Sequence, residues 1–296
     1  MFAAAILALT IPFPAAGQRL PYVEKCYMIG AVAPGPTNLV IQGRDVAVYR
    51  TGAWATLLDV VEGTNTVEVA GSNHWFVVAA KSDAGEAPSR TYEKLPYAGD
   101  VAKPHPAGKA PAEITVILDA GHGGSDTGAV SPHGIPEKDA NLRLAKAVKR
   151  ELVARGYQVM MTREDDSFPE LYDRPKVAHA AHADAFVSIH HNAPGYAKDP
   201  REVRYGCVYA WNGIGERLAS AINARIVAAL AGRLENRGVL HANYAVTRNP
   251  EIPSCLIEVD FITTPEGEES SWDPVRRKIV ARAIADGIAD WTELRP

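Results

Sequence analysis

The sequence predicts an α/β fold: a mostly parallel twisted sheet with helices on both faces, preceded by a small all-β sandwich. Three observations predict it. From about residue 113 onward, short β-branched apolar runs alternate with longer stretches of helical periodicity, as in a parallel sheet crossed by helices. Between about Tyr22 and Tyr92 the apolar runs are short and separated by turn signals about ten residues apart, which suggests an antiparallel sandwich. Between these halves, residues 93–112 carry Pro, Gly, Ala and Lys without apolar periodicity and read as a semi-extended linker, with His105 solvated in it.

The chain has 296 residues, room for a full α/β domain plus a smaller unit. A hydrophobic fraction of 47% and a charged fraction of 22% are those of an ordinary globular protein. A net charge of -4 without blocks of like charge leaves no basic footprint for nucleic acid. Residues 1–17 form a short apolar segment ending in small residues. It is too short to span a bilayer and reads as a secretory segment, although the first cationic side chain is only Arg19. A buried N-terminal strand is the other reading. The expected domains are therefore 1–17, export segment; 18–92, β-sandwich; 93–112, linker; and 113–296, α/β domain. Of three cysteines, Cys207 and Cys255 fall in expected strands as buried thiols, or as a bonded pair in an oxidising compartment.

In the β half, Leu39–Ile41, Val46–Tyr49, Trp54–Val61, Thr66–Val69 and Trp75–Ala79 are strand-like. Turn signals such as Gln42-Gly43, Thr51-Gly52 and Glu62-Gly63 separate them. Trp54 and Trp75 are expected in the core. In the α/β half, Ile114–Leu118 is a buried strand breaking into Gly121-His122-Gly123-Gly124, and a polar loop then delivers Glu137 ahead of a helix. Leu142, Ala145, Val148, Leu152 and Val153 mark that helix, with Gly156 at its C-terminal cap. Tyr157–Thr162 is a strand and Leu171–Ala183 a helix carrying His179 and His182 as surface histidines. Asp184–Ile189 is a strand stopping at His190-His191-Asn192. Tyr205–Trp211 is a strand, Ile214–Leu230 a helix, and Ser254–Ile257 a strand ending at Glu258, with Asp260 beyond. Asp273-Pro274 caps and opens a last helix through Trp291.

Reacting groups in open α/β sheets collect outside the carboxyl ends of strands. Here three such ends carry His122, His190-His191 and Glu258, and Glu137 enters from a loop. Two imidazoles and one carboxylate, with a spare carboxylate, make the donor set of a catalytic zinc site that leaves a position open for water. Side chains alternate along a strand, so only one of His190 and His191 can face the metal, and parity alone does not choose.

The ordered motifs DAGHGGSDTGAV, Glu137, FVSIHHNA and NYAVTRNPEIPSCLIEVDFITTPEGE resemble the zinc-dependent N-acetylmuramoyl-L-alanine amidases, the amidase_3 family, over about residues 112–295. The resemblance implies that His122, Glu137 and His190 hold Zn2+, one per domain, and that Glu258 is the catalytic glutamate. His191 is then a rim or packed histidine. It implies a peptidoglycan hydrolase of the envelope or periplasm, cleaving between N-acetylmuramic acid and L-alanine. Arg163 and Arg174 match family arginines and are expected to form an ion pair beneath the site. The chain departs from the family's pattern at His191, Asp260 and Thr264, where a small residue, Gly and Asn are usual, so His191 and Asp260 are expected to alter the cleft rim. The β half resembles bacterial immunoglobulin-like modules. A wall-binding protein without catalysis, or another zinc amidohydrolase or peptidase, are the alternative readings.

Between His190 and Glu258 the unassigned pieces are Ala193–Arg204 and Ala231–Tyr244. Neither has the apolar stripe of a helix able to plug the site. The expectation is an open cleft, a monomer, and no obligate activator protein, nucleic-acid partner or membrane span.

Overall fold

The computed structural model describes residues 9–33, 35–83, 108–211, 213–249 and 251–293. A main hydrophobic core organises each half of the chain.

The first half is all β. Strands β1 (Leu9–Phe13), β3 (Lys25–Val32) and β6 (Ala53–Asp59) form one antiparallel sheet. Strands β2 (Arg19–Leu20), β7 (Gly63–Val69) and β8 (Ser72–Val78) form a second, and β4 (Asn38–Ile41) with β5 (Arg44–Ala47) a hairpin. Alternate residues of both sheets, among them Met28, Leu58, Val69 and Phe76, point into one core around Trp54, as a period-two strand pattern requires. Trp54 is fully buried, but Trp75 is 50% exposed and corrects the expectation for it. Gly17 lies against its ring instead. Residues 9–13, placed by the sequence reading in the export segment 1–17, are strand β1, paired to β3. Leu9, Ile11 and Phe13 are half-buried against the module's core. Residues 1–8, and the linker through residue 107 with His105, lie outside the described residues. The end of the linker is tied down: Lys109 Nζ donates to Asp184 at 2.8 Å.

The second half holds a six-stranded sheet in the order β10-β9-β11-β14-β12-β13. Its strands are β9 (Thr115–Ala120), β10 (Gln158–Met161), β11 (Ala185–Asn192), β12 (Gly206–Ala210), β13 (Asn236–His241) and β14 (Ser254–Phe261). β10, β9, β11 and β14 run parallel, while β12 is antiparallel to β14 and parallel to β13. Helices α1 (Glu137–Ala154), α3 (Gly213–Ala229) and α5 (Pro274–Glu293) cover one face with Leu144, Leu218 and Ile284. Helix α2 (Arg174–Ala180) and the segment around Val246 cover the other over Ile117, Phe186 and Leu256. The predicted α/β half is therefore present. A further helix, α4 (Pro265–Trp272), starts at Thr264, whose Oγ1 accepts from Gly267 N at 2.9 Å. Thr264 thus caps a helix, a role short polar side chains share. Val153, expected on the buried face of α1, is 53% exposed; Leu144 takes the inward position instead. No described helix is long and apolar enough to cross a membrane.

Candidate metal centre

The ends of β9, β11 and β14 converge at the carboxyl rim of the sheet, and the side chains there follow from strand parity. Val187 and Ile189 face α1 and α3, so Ser188 and His190 face the α2 side. His191 points back toward α1, where its Nδ1 meets Asn141 Oδ1 at 2.8 Å. His190 stands in register beside Glu258 on the adjacent parallel strand, so the two share a face.

His122, Glu137 and His190 come together with one donor atom of each within 4.8 Å of the others. His122 Nε2 lies 3.2 Å from Glu137 Oε2, and His190 Nδ1 lies 3.1 Å from Glu137 Oε1. The sequence between these residues makes that approach possible. A Cβ on Gly121 would fall 2.2 Å from the His190 ring, and one on Gly128 would fall 2.6 Å from Glu137 Oε2. His122 itself sits at φ 62, a left-handed conformation that costs a non-glycine residue about 1–3 kcal/mol and persists only where neighbours hold it.

Two arginines do the holding. Arg174 donates to Asp119 Oδ1 at 2.9 Å, to Ala120 O at 3.0 Å and to His122 O at 2.9 Å. Arg163 donates to Ala120 O, Gly121 O and Lys138 O. The expected ion pair is thus present for Arg174, while Arg163 is a clamp on carbonyls. Asp119, fully buried, also accepts from Thr162 and Ser188 hydroxyls at 2.6 Å.

Glu137 opens α1, where the helix N-terminus favours a carboxylate. It accepts from Ala129 N, His191 N and Asn141 Nδ2 at 2.9–3.1 Å. Burial opposes its charge, yet the bonds from His122 and His190 outweigh burial and hold its carboxyl well below the usual range. Burial likewise opposes a proton on His122, but Glu137 and then Asp126, 2.8 Å from Nδ1, raise it to about 9. Asp126 is a residue the sequence reading missed. Burial keeps His191 neutral, with its pKa lowered to about 4. Because Asn141 gives its amide hydrogens to Glu137 and Gly121 O, its oxygen faces His191, whose Nδ1 therefore carries the hydrogen.

Glu258 faces the same cleft with Oε2 buried and unpartnered. Burial first, and the Glu137 charge second, push its carboxyl well above the usual range. Two imidazoles, a ligand carboxylate and a second, orphaned carboxylate fit a divalent cation, which would relieve that repulsion. The cleft is about 340 Å³, with Phe168, Leu171, Tyr244 and Val246 on its walls.

Other predicted residues lie elsewhere. Asp260 is fully buried, held by Arg204, Arg276 and Ser270, so neither it nor His191 shapes the rim. A register shift after Glu258 puts an extra residue in β14 and separates the two carboxylates. His179 is exposed, 3.9 Å from Glu251, away from the centre. Cys207 pairs in register with Glu258, whereas Cys255 faces the α-helical core, so the two thiols are on opposite faces and free.

This geometry agrees with what the chain is similar to. A family model described as N-acetylmuramoyl-L-alanine amidase, Amidase_3, matches residues 116–290. The chain belongs to this amidase family. Among individual relatives, the "Probable cell wall amidase LytH" of Staphylococcus epidermidis is 37% identical over 179 residues, 60% of this chain and 58% of that protein. The chain therefore matches less than two thirds of the length of this relative. Among solved structures, the N-acetylmuramoyl-L-alanine amidase AmiC2 of Nostoc punctiforme superposes with a TM-score of 0.57 at 34% identity, over 60% of this chain and 97% of that one. The catalytic domain of the amidase CwlV from Bacillus (Paenibacillus) polymyxa gives 0.57 at 32% identity, over 62% of this chain and 99% of that one.

Proposed function

We propose that the chain is a zinc-dependent peptidoglycan hydrolase that cleaves the amide between N-acetylmuramic acid and the L-alanine of the stem peptide. The observation that carries this reading is the unpartnered Glu258 Oε2 beside the His122, Glu137 and His190 cluster. Those three residues would hold the metal. When bound, zinc supplies Lewis acidity, lowering the pKa of a water to roughly 7 and polarising a carbonyl. With a cation bound to relieve the repulsion that raises its carboxyl, Glu258 would take a water's proton at its free oxygen and pass it to the leaving nitrogen. Asp126 fixes the His122 ring through Nδ1, leaving Nε2 for the metal. Arg174 and Arg163 keep the His122 backbone in place.

The same reading makes the protein an exported, monomeric enzyme of the periplasm or envelope, with an immunoglobulin-like β module and no obligate activator. The walls of the cleft include nothing from residues 193–204, and the described residues of 231–244 include β13 rather than a blocking helix. The test is purified, zinc-loaded full chain given muropeptides alone, with products read by mass spectrometry. Release of stem peptides beginning with L-alanine is expected. Cleavage at another bond, or none, would overturn the assignment.

A further inference from the structure

The β module touches the α/β half at the carboxyl rim of the sheet, beside the metal centre. Residues 129–136, between the two ligands His122 and Glu137, form a small hairpin: Val130 bridges Pro136, and Ser131 N donates to Ile135 O at 2.9 Å. Its base is Glu137, whose N donates to Ala129 O while Ala129 N donates to Glu137 Oε2. Its tip is His133. There Nδ1 lies 2.7 Å from Glu268 Oε2 on α4, and Nε2 lies 3.2 Å from Thr51 O in the β module. Glu268 also accepts from Ser131 Oγ at 2.5 Å and His133 N at 3.0 Å.

Four further contacts surround this one. Arg50, next to Thr51, pairs with Glu269. Phe13 of β1 stacks on Tyr196 with ring centres 5.7 Å apart, and Tyr27 N of β3 donates to Tyr196 O at 2.9 Å. Gly134 backs onto β1, since a Cβ there would lie 3.8 Å from Thr10. The module therefore grips both the hairpin that ends in Glu137 and the loop that follows His190.

We infer that the β module is a brace for the metal centre: by docking on His133 and Tyr196 it fixes the Glu137 hairpin and so sets metal affinity. This rests on the zinc reading of the site. A hairpin fixed at both tip and base presents its carboxylate with little ordering left to do, the condition under which outer contacts strengthen metal binding.

The experiment measures zinc affinity of the full chain by competition with a chromophoric chelator. The first variant combines Phe13→Ala with Arg50→Ala, both in the module and neither in the site. Its affinity is expected to fall about tenfold, in the range seen when outer contacts to metal ligands are lost. At the tip, His133→Asn can keep the Glu268 bond but not the Thr51 contact, and is expected to fall likewise. His133→Gln, which reaches Thr51, is expected to retain more affinity than His133→Asn. Hydrogen exchange at residues 129–137 in the metal-free state reports the same coupling independently of zinc. Affinity within twofold of the wild type in the double variant, with unchanged exchange in the hairpin, overturns the brace while leaving the proposed amidase standing. A wild-type chain that binds no zinc overturns both.

Discussion

Removing Arg174 tests the platform under the metal centre. Its guanidinium and the Asp119 carboxylate are 5% and 1% exposed, respectively, at 2.9 Å. In Arg174→Met, Asp119 keeps only the Thr162 and Ser188 hydroxyl bonds among its side-chain partners. His122 O also loses the donor that holds its left-handed backbone. Breaking a buried pair from one side costs about 3–5 kcal/mol, because an uncompensated charge stays behind. For a domain of this size that corresponds to a fall in Tm of roughly 6–20 °C. Asp119→Leu in the same chain removes the orphaned charge, so the double variant should be more stable than the sum of the single losses by about 0.5–3 kcal/mol. Denaturant unfolding of the four proteins measures this, on metal-free samples so that zinc does not mask the difference. A loss below about 1 kcal/mol in Arg174→Met, or strict additivity in the double, would refute the reasoning.

Glu258→Gln should abolish turnover with zinc still bound, whereas Glu137→Gln should weaken zinc binding, as metal analysis beside product analysis would show. In the metal-free chain the His122 pKa is raised from 6.5 to about 9, so its contribution to stability is full below pH 6.5 and lost as pH rises through 9. Zinc must displace that proton, so affinity should climb with pH across the same window, measurable by chelator competition at each pH. Burial pushes the Cys26 and Cys207 thiols up to about 12 and Cys255 further, so the native chain should stay inert to a thiol reagent that labels three groups after unfolding.

The strands that build the site were legible because each is a buried, β-branched run stopped by a polar residue: Ile114–Leu118, Asp184–Ile189 and Ser254–Ile257. Their ends carried His122, His190 and Glu258 with them, and the structure brings the first two together with Glu137. The choice between His190 and His191 was not legible from alternation alone, since it depends on which face Ile189 buries. Asp126 and Asp119 were missed because each acts across space, on His122 and Arg174, with no period to mark it. β13 escaped for another reason. It is an edge strand reading Asn-Arg-Gly-Val-Leu-His, its Gly238 at φ 75 interrupts the register, and neither face shows an unbroken alternation. Trp75 was misplaced because burial of a tryptophan in a three-stranded sheet depends on whether anything packs over that face.

The reversal of β12 shapes what this scaffold can become. A strand parallel to its neighbours would return the chain to the amino edge through a crossover helix, and the segment after His190 would leave the rim at once. Because β12 runs the other way, the chain goes from the end of β11 to the start of β12 along the rim itself, between residues 192 and 206. Sequence added there interrupts no helix or strand, and it enters at the same rim as the metal centre although residues 193–204 line none of the cleft walls. Descendants of this fold can therefore gain lids, recognition arms or docking loops at one position by insertion alone, and here that position already holds Tyr196 against the β module.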